Sequence, residues 1–535
     1  MVLIVVVPLA IVVVQGFISA QRGSWDFTLD HVTLVVTRWP YWAALLNTLA
    51  IGLGATTFAC AAGIPMAWLF ARTNLPGKGL LEKLATIPIF IPPFVGAVAW
   101  ILLAAPRIGA FNYPFRALMG LEPLNVYTLT GISWVIGIYL APYVMMIVAA
   151  ALRSMDPSLE EAAQVSGLNR LRTAVTVTLP LVAPAILSGA VLAFIITIGL
   201  FGTPVVIGWA RQLYFITSRI YLASQEVPPA FGVMAVLAIY LILLSLLATM
   251  LQRWLIKGRS FVTVSGKGFR ARPILLGRVR WLAAGFVWLY CFFTIIAPVI
   301  VLVGAAFSTF TWSGRFTSEN FEYLWTSRDV RITLQNSLLI ALIAATASTF
   351  IGIVISWTTQ RTTLPYRQIL EYLAVLPVSV PGIAFGVGVA LFWLRMPIAI
   401  YGTIWIIVLA FIGRFTGYAV RSISSSIVQV HPELEESARI AGYGWIRTFI
   451  HITLPLIRPS IVASWMLLFS IFITELSMVI LLYTANTRTF SVLSFEVWNA
   501  GNFSQVASLS LLQLVVGVVV LQAVQLLWPQ RNVHG

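Results

Sequence analysis

"LEEAAQVSGLNRLRTAVTVTLP", residues 159–180, lies between two long apolar runs and returns as "LEESARIAGYGWIRTFIHITLP", residues 434–455. Paired glutamates, small residues, a glycine and a closing T-L-P recur at an offset of 275 residues. Upstream, "RTNLPGKGLLEKLATIPIFIPP" (72–93) matches "RTTLPYRQILEYLAVLPVSVPG" (361–382) at an offset of 289, which Asn47 and Asn336 share. The chain of 535 residues therefore carries an internal repeat. The difference between the two offsets fits an extra stretch in the first copy, around "PRIGAFNYPFRALMGLEPLNVYT" (106–128).

The residues around these motifs set the fold class. The chain is 60% hydrophobic and 9% charged, with a mean hydropathy of +0.95. Apolar runs of about 20 residues recur throughout, long enough to cross a hydrocarbon core of about 30 Å as helices. Inside lipid every backbone polar group needs an internal partner, which leaves helices or a closed barrel. The runs lack the alternation of barrel strands. The reading is an all-α polytopic membrane protein with twelve transmembrane helices, near 1–19, 43–71, 84–105, 129–152, 180–207, 231–255, 281–307, 333–358, 369–394, 401–427, 455–483 and 506–528. Residues 1–256 and 281–535 hold six spans each, an even number. The halves thus share one orientation, as two parallel six-helix repeats about an axis along the membrane normal. Residues 257–280 form a basic cytoplasmic linker between them.

The net charge of +16 does not point to nucleic acid. The basic residues sit in short loops, as the positive-inside rule requires. Placing the "EEAA" loop inside puts all four lysines inside (Lys78, Lys83, Lys257, Lys267) and makes both termini cytoplasmic. Cys60 and Cys291 fall in apolar runs and form no disulfide framework, and the four histidines show no metal-ligand spacing. "MVLIVVVPLAIVVVQGF" has no basic flank and no clear cleavage site, so it reads as a first membrane helix and not a removed signal.

Each "EEAA" or "EESA" segment has the grammar of a short surface helix. Asp156 can cap it, Pro157 suits its first turn, and Glu160 and Glu161 favour the positive end of the dipole. Ala162 and Ala163 keep one face small, and Gly167 supplies a left-handed stop. Pro432, Glu435, Glu436, Ser437, Ala438 and Gly442 repeat the pattern. Such a helix is too short to persist alone. Its small face admits a partner surface, and its glutamates are expected to point toward a polar or basic groove.

The pattern E-A-A, three residues, G, nine residues, I-x-L-P resembles the signature loop of binding-protein-dependent ATP-binding-cassette (ABC) importer permeases. Glu161, Ala162, Ala163, Gly167, Val177, Leu179 and Pro180 match it with Val for Ile, and Glu436, Ser437, Ala438, Gly442, Ile452, Leu454 and Pro455 match it with Ser for the first Ala. The resemblance covers nearly the whole chain, and its stretch 474–503 is most similar to the ferric-iron branch. Related permeases handle thiamine, polyamines, aminoalkylphosphonates and sulfate. The resemblance implies a bacterial inner-membrane transport subunit with no catalytic residues, coupled through the two loops to two copies of a separate ATPase and served by an extracytoplasmic solute-binding protein. No G-x-x-x-x-G-K-[ST] loop occurs in the chain, so ATP and Mg are expected on the ATPase, with no cofactor or metal on this chain.

Charges inside spans are costly and point to function. Glu475 and Arg414 stand out, with Thr474, Ser477, Tyr143 and Tyr418 as further candidates to line a translocation path. The alternative for Glu475 is a structural hydrogen bond or ion pair between helices, with Arg414 as a candidate partner. A carboxylate in the path would suit a hard cation. Leu200 aligns with Glu475, so such a site is asymmetric. A rival class, the ion-gradient-driven secondary transporter, also has two six-span halves, but leaves the paired loops unexplained.

Overall fold

The computed structural model describes residues 1–19, 26–112, 123–156, 158–256, 273–309 and 315–527. Pro157, most of the linker (257–272) and part of the extra stretch of the first half (113–122) lie outside the described residues. Apart from a two-residue antiparallel pairing of Ile18–Ser19 with Asp26–Phe27, the described elements are helical. Among them, nine helices are long and apolar enough to cross a membrane. Two further apolar segments are bent pairs, and the first, Val2–Gly16, is a shorter apolar helix.

The bends have a sequence cause. Lys78–Phe90 meets Pro93–Ala104 at 100°, and Arg367–Ser379 meets Gly382–Arg395 at 113°. Pro92 and Pro381 are the residues preceding the second helix of each pair. A proline disfavours helical backbone in the residue before it, and Ile91 and Val380 are accordingly extended, with ψ of 121° and 129°. Pro88 and Pro377 lie in the tight 3₁₀ turns that end the first helices. The third and ninth spans expected from the sequence are thus broken.

The fifth and eleventh spans also differ from their expected bounds of 180–207 and 455–483. They run over Ala174–Gly199 and Trp445–Thr474. Leu200 and Glu475 then leave the helix with extended backbone, ψ 129° and 122°. A seven-residue α-helix, Gly202–Gly208, follows the first and a three-residue 3₁₀ turn, Val479–Leu481, the second. Glu475 therefore stands at a helix end, not well inside a span.

Four widened π turns share one local cause. Val2–Val6, Ala174–Thr178, Phe292–Ile296 and Phe449–Thr453 each end two residues before a proline: Pro8, Pro180, Pro298 and Pro455. Proline has no N–H and its ring crowds the carbonyl four residues back. Shifting the preceding residue to a carbonyl five back opens the turn without ending the helix.

The chain packs as two compact units: 1–39 with 219–242 and 316–535, and 40–218 with 243–315. These are not the sequence halves 1–256 and 281–535. The first helix of each half packs in the unit built mainly from the other. In one unit, Val2–Gly16 lies against Gly382–Arg395, and Arg395 donates to Gln15 Oε1. In the other, Val279–Ala306 lies against Pro93–Ala104. There Tyr290 donates its hydroxyl hydrogen to Ile138 O at 2.9 Å, and Phe293 sits 6.1 Å from the Trp100 ring. Hydropathy cannot report this exchange, because it records that a helix is apolar and not which neighbour it meets.

The seat of the first helix depends on Gly388. A Cβ there would fall 2.6 Å from Pro8 O, whereas one on Gly285 would meet nothing within 4 Å. Gly388→Ala should destabilise by about 1–3 kcal/mol through overpacking, while Gly285→Ala should stay within about 0.5 kcal/mol. Thermal unfolding of the purified chain in detergent checks this, and equal midpoints would refute the seat.

Candidate functional site

The two signature segments fold alike. The first is the helix Ser158–Val165, where Ser158 N–H donates to Asp156 Oδ1 at 2.9 Å. The second is Pro432–Ile440, where Glu433 N–H donates to His431 Nδ1 at 3.4 Å. Gly167 and Gly442 take φ of +86° and +84°, a left-handed conformation in which glycine avoids a steric penalty. Past each stop the chain closes on the helix end: Leu168 N–H donates to Ala163 O at 3.1 Å, and Tyr443 N–H to Ala438 O at 3.0 Å.

The adjacent glutamates have opposite environments. Glu160 is turned inward and 9% exposed. Its Oε1 accepts from Thr178 Oγ1 at 2.6 Å, and its Oε2 lies 2.7 Å from Arg72 Nη2. Glu435 is 6% exposed. Its Oε1 accepts from Thr453 Oγ1 at 2.7 Å and Arg361 Nε at 3.1 Å. Arg361 Nη2 also donates to Ile427 O and Val430 O, at 2.9 and 2.6 Å. Breaking a buried pair by removing one partner costs about 3–5 kcal/mol, because the other charge is left uncompensated. The sequence expectation is glutamates that point toward a polar or basic groove; Glu160 and Glu435 instead meet arginines of their own chain.

The outward face is formed by their neighbours. Glu161, Ala162, Glu436 and Ser437 are exposed, while Ala163 and Ala438 are half-buried. Ser437 Oγ donates to Glu433 O at 2.7 Å, so its hydroxyl is satisfied within the helix. Leu159 and Leu434 are half-exposed, and Val165 and Ile440 are each 88% exposed. Each helix thus presents an exposed carboxylate at the matched position, Glu161 or Glu436, near exposed apolar side chains, and the second helix also exposes Glu433. Sequence reasoning missed Arg72, Arg361, Thr178 and Thr453, although the signal lay in the repeated "RTNLP"/"RTTLP" and "VTLP"/"ITLP" stretches.

The intramembrane candidates converge in part. Arg414 Nε and Nη2 donate to Val380 O at 3.3 and 3.2 Å, and its guanidinium lies 4.5 Å from the Phe415 ring centroid. Glu475 Oε1 accepts from Met478 N–H at 2.9 Å. Both charged groups approach Gly382 at the bend, where a Cβ would lie 3.3 Å from Arg414 Cζ and 3.4 Å from Glu475 Oε1. Each has its own backbone partner, and the two form no direct ion pair. Tyr418 is half-buried one turn from Arg414 and stacks on Phe415, 6.0 Å between centroids. Ser477 is buried, and Thr474 Oγ1 donates to Ser470 O and Ile471 O within its own helix. Tyr143 stands half-buried on Leu129–Ser154, in the other compact unit. Among the described residues, no three of His, Cys, Asp or Glu come together as a metal set.

Comparison with known proteins agrees with this duplicated architecture. The family described as the inner membrane component of binding-protein-dependent transport systems matches twice, at residues 61–260 and 348–529. A ferric transport system permease protein of Actinobacillus pleuropneumoniae is 27% identical over 497 residues, covering 88% of this chain and 69% of that protein. A sulfate transport system permease protein of Salmonella typhimurium is 30% identical over 258 residues, 47% of this chain and 88% of that one. A crystal structure of a bacterial alginate ABC transporter, in complex with an alginate pentasaccharide-bound periplasmic protein, aligns at 18% identity and a TM-score of 0.40 over 46% of this chain and 93% of its own. With both halves matched and more than half of the chain covered, the protein belongs to the family of binding-protein-dependent transport system inner membrane components, as a fused, multi-pass permease of the ABC importer type.

Proposed function

We propose that this permease imports ferric iron, delivered by an extracytoplasmic binding protein, and that Ser158–Val165 and Pro432–Ile440 are its two coupling helices. Each docks on one of two copies of a separate ABC ATPase, which carries the ATP and Mg. The observation that carries the coupling role is the matched outward face: an exposed carboxylate at the same position, Glu161 or Glu436, on a helix that also exposes Leu159 and Val165 or Leu434 and Ile440. An exposed apolar patch around a charge is a docking surface, and its recurrence in both halves fits two identical partners. Both termini lie in the cytoplasm in this reading. ATP-driven closure of the ATPase pair moves the two coupling helices together, tilts the spans and opens the path outward; hydrolysis reverses it.

Iron is supported by similarity to a ferric permease along nearly the whole chain. The carboxylate of Glu475, at the broken end of its helix and next to the bend at Gly382, gives the path a hard oxygen ligand suited to such a cation. Arg414, reaching the same glycine, and the similarity of one half to a sulfate permease favour a second reading, sulfate.

Glu161→Ala combined with Glu436→Ala should cut ATPase co-purification and solute uptake at least about tenfold, the size expected when central contacts of an interface are lost. Normal uptake by the double variant would sink the docking role. Membrane vesicles should take up iron with internal ATP and continue when a protonophore collapses the ion gradient. A strain lacking this chain should lose iron uptake and keep sulfate uptake; the reverse result would replace iron with sulfate.

A further inference from the structure

The buried arginine–glutamate–threonine triads join elements far apart in sequence. One holds together the end of Trp39–Arg72, the helix Ser158–Val165 and the start of Ala174–Gly199. The other does the same for Arg328–Arg361, Pro432–Ile440 and Trp445–Thr474. Thr178 and Thr453 are the last residues of π turns, so the widened turn that Pro180 and Pro455 impose ends on the residue that reaches the glutamate.

A helix of eight or nine residues has little stability of its own. A load applied to its outward face would peel it from the spans unless something on the inward face resisted. A buried ion pair resists strongly, since separation strands a charge where water is scarce. Glu160 and Glu435 do not lie on the docking face, so contact with a partner does not explain them. We propose that they are positioning residues: with Arg72, Thr178, Arg361 and Thr453 they lock each coupling helix to two span ends, so that docking force moves all three as one rigid transmitter. This rests on the coupling role proposed above.

The two transmitters are unequal. Arg361 also binds the open carbonyls of Ile427 and Val430, adding the end of Ile404–Gln429 as a fourth element. Arg72 Nε has no hydrogen-bond partner, and its Nη2 meets Glu160 off the hydrogen-bond axis. The carbonyl of Arg72 instead accepts from Ile274 N–H at 2.8 Å, and Asn74 Oδ1 accepts from Leu276 N–H at 2.9 Å. The described end of the linker is thereby strapped to the first transmitter. The second is braced by a further span and should tolerate more loss, since Arg361 keeps two carbonyl partners without Glu435 whereas Arg72 is left uncompensated without Glu160.

The test uses the full permease–ATPase complex in nanodiscs, in a Cys60→Ala, Cys291→Ala background. Spin labels at exposed Leu53 and Leu339 report on the two spans that end in Arg72 and Arg361. ATP hydrolysis is followed in parallel. In Glu160→Gln and Glu435→Gln the ATPase should stay bound and hydrolyse within about twofold of native, while the ATP-driven change in label distance shrinks at least about threefold, more for Glu160→Gln. Thr178→Val and Thr453→Val, which remove one hydrogen bond and no charge, should shrink it in the same direction, and they carry the test if the glutamine variants do not accumulate. A full distance change with ATPase bound would overturn the transmitter and leave the docking role standing. A native complex that retains no ATPase would overturn both.

Discussion

A chain in hydrocarbon has no water to satisfy a broken backbone, and this constraint governs the structure wherever a helix stops. Several breaks are closed by a side chain from another segment, and these closures repeat in the two halves. Asn47 Nδ2 donates to Tyr214 O at 3.0 Å, and Asn336 Nδ2 to Asn486 O and Arg488 O at 3.1 and 3.0 Å. Ile216 N–H donates to Thr48 Oγ1 and Phe490 N–H to Ser337 Oγ, at 3.0 and 2.7 Å. The carbonyls of Leu200 and Glu475, where the spans end, accept from Thr217 Oγ1 and Ser491 Oγ. These polar residues in the apolar runs thus serve as closures at helix ends.

The same reasoning orders the charged residues. Arg414 occupies the carbonyl of Val380 at a bend, and Glu475 caps the turn that follows it. Both serve the backbone first. They nevertheless reach one glycine from two helices, in the second half only, because Leu200 and Tyr139 stand at the matching positions. Of the two readings open at the level of sequence, the hydrogen bonds give the structural one. A carboxylate fixed by a backbone N–H is pre-organised and retains an oxygen for another partner.

Much of this was legible in the sequence. Composition and run length indicate the helical membrane class, the paired offsets of 289 and 275 reveal the duplication, and the "EEAA" segments mark the paired surface helices. Prolines 92 and 381 foretell the bends. Other features leave no periodic trace. The stops at Gly199 and Thr474 are not set by a proline, since the next residues, Leu200 and Glu475, simply turn extended. The inward turn of Glu160 and Glu435 depends on arginines far away in the chain, whose helices end beside the loop. The exchange of first helices is a matter of partner choice between equally apolar surfaces.

That exchange bears on ancestry and on engineering. Each compact unit takes its first helix from the opposite half, so neither half, made alone, contains all the helices of one unit. Fission of the gene at the linker would yield two polypeptides that must find each other in the bilayer, an obligate heterodimer. Fusion fixes their ratio at one to one and replaces a bimolecular encounter with an intramolecular one.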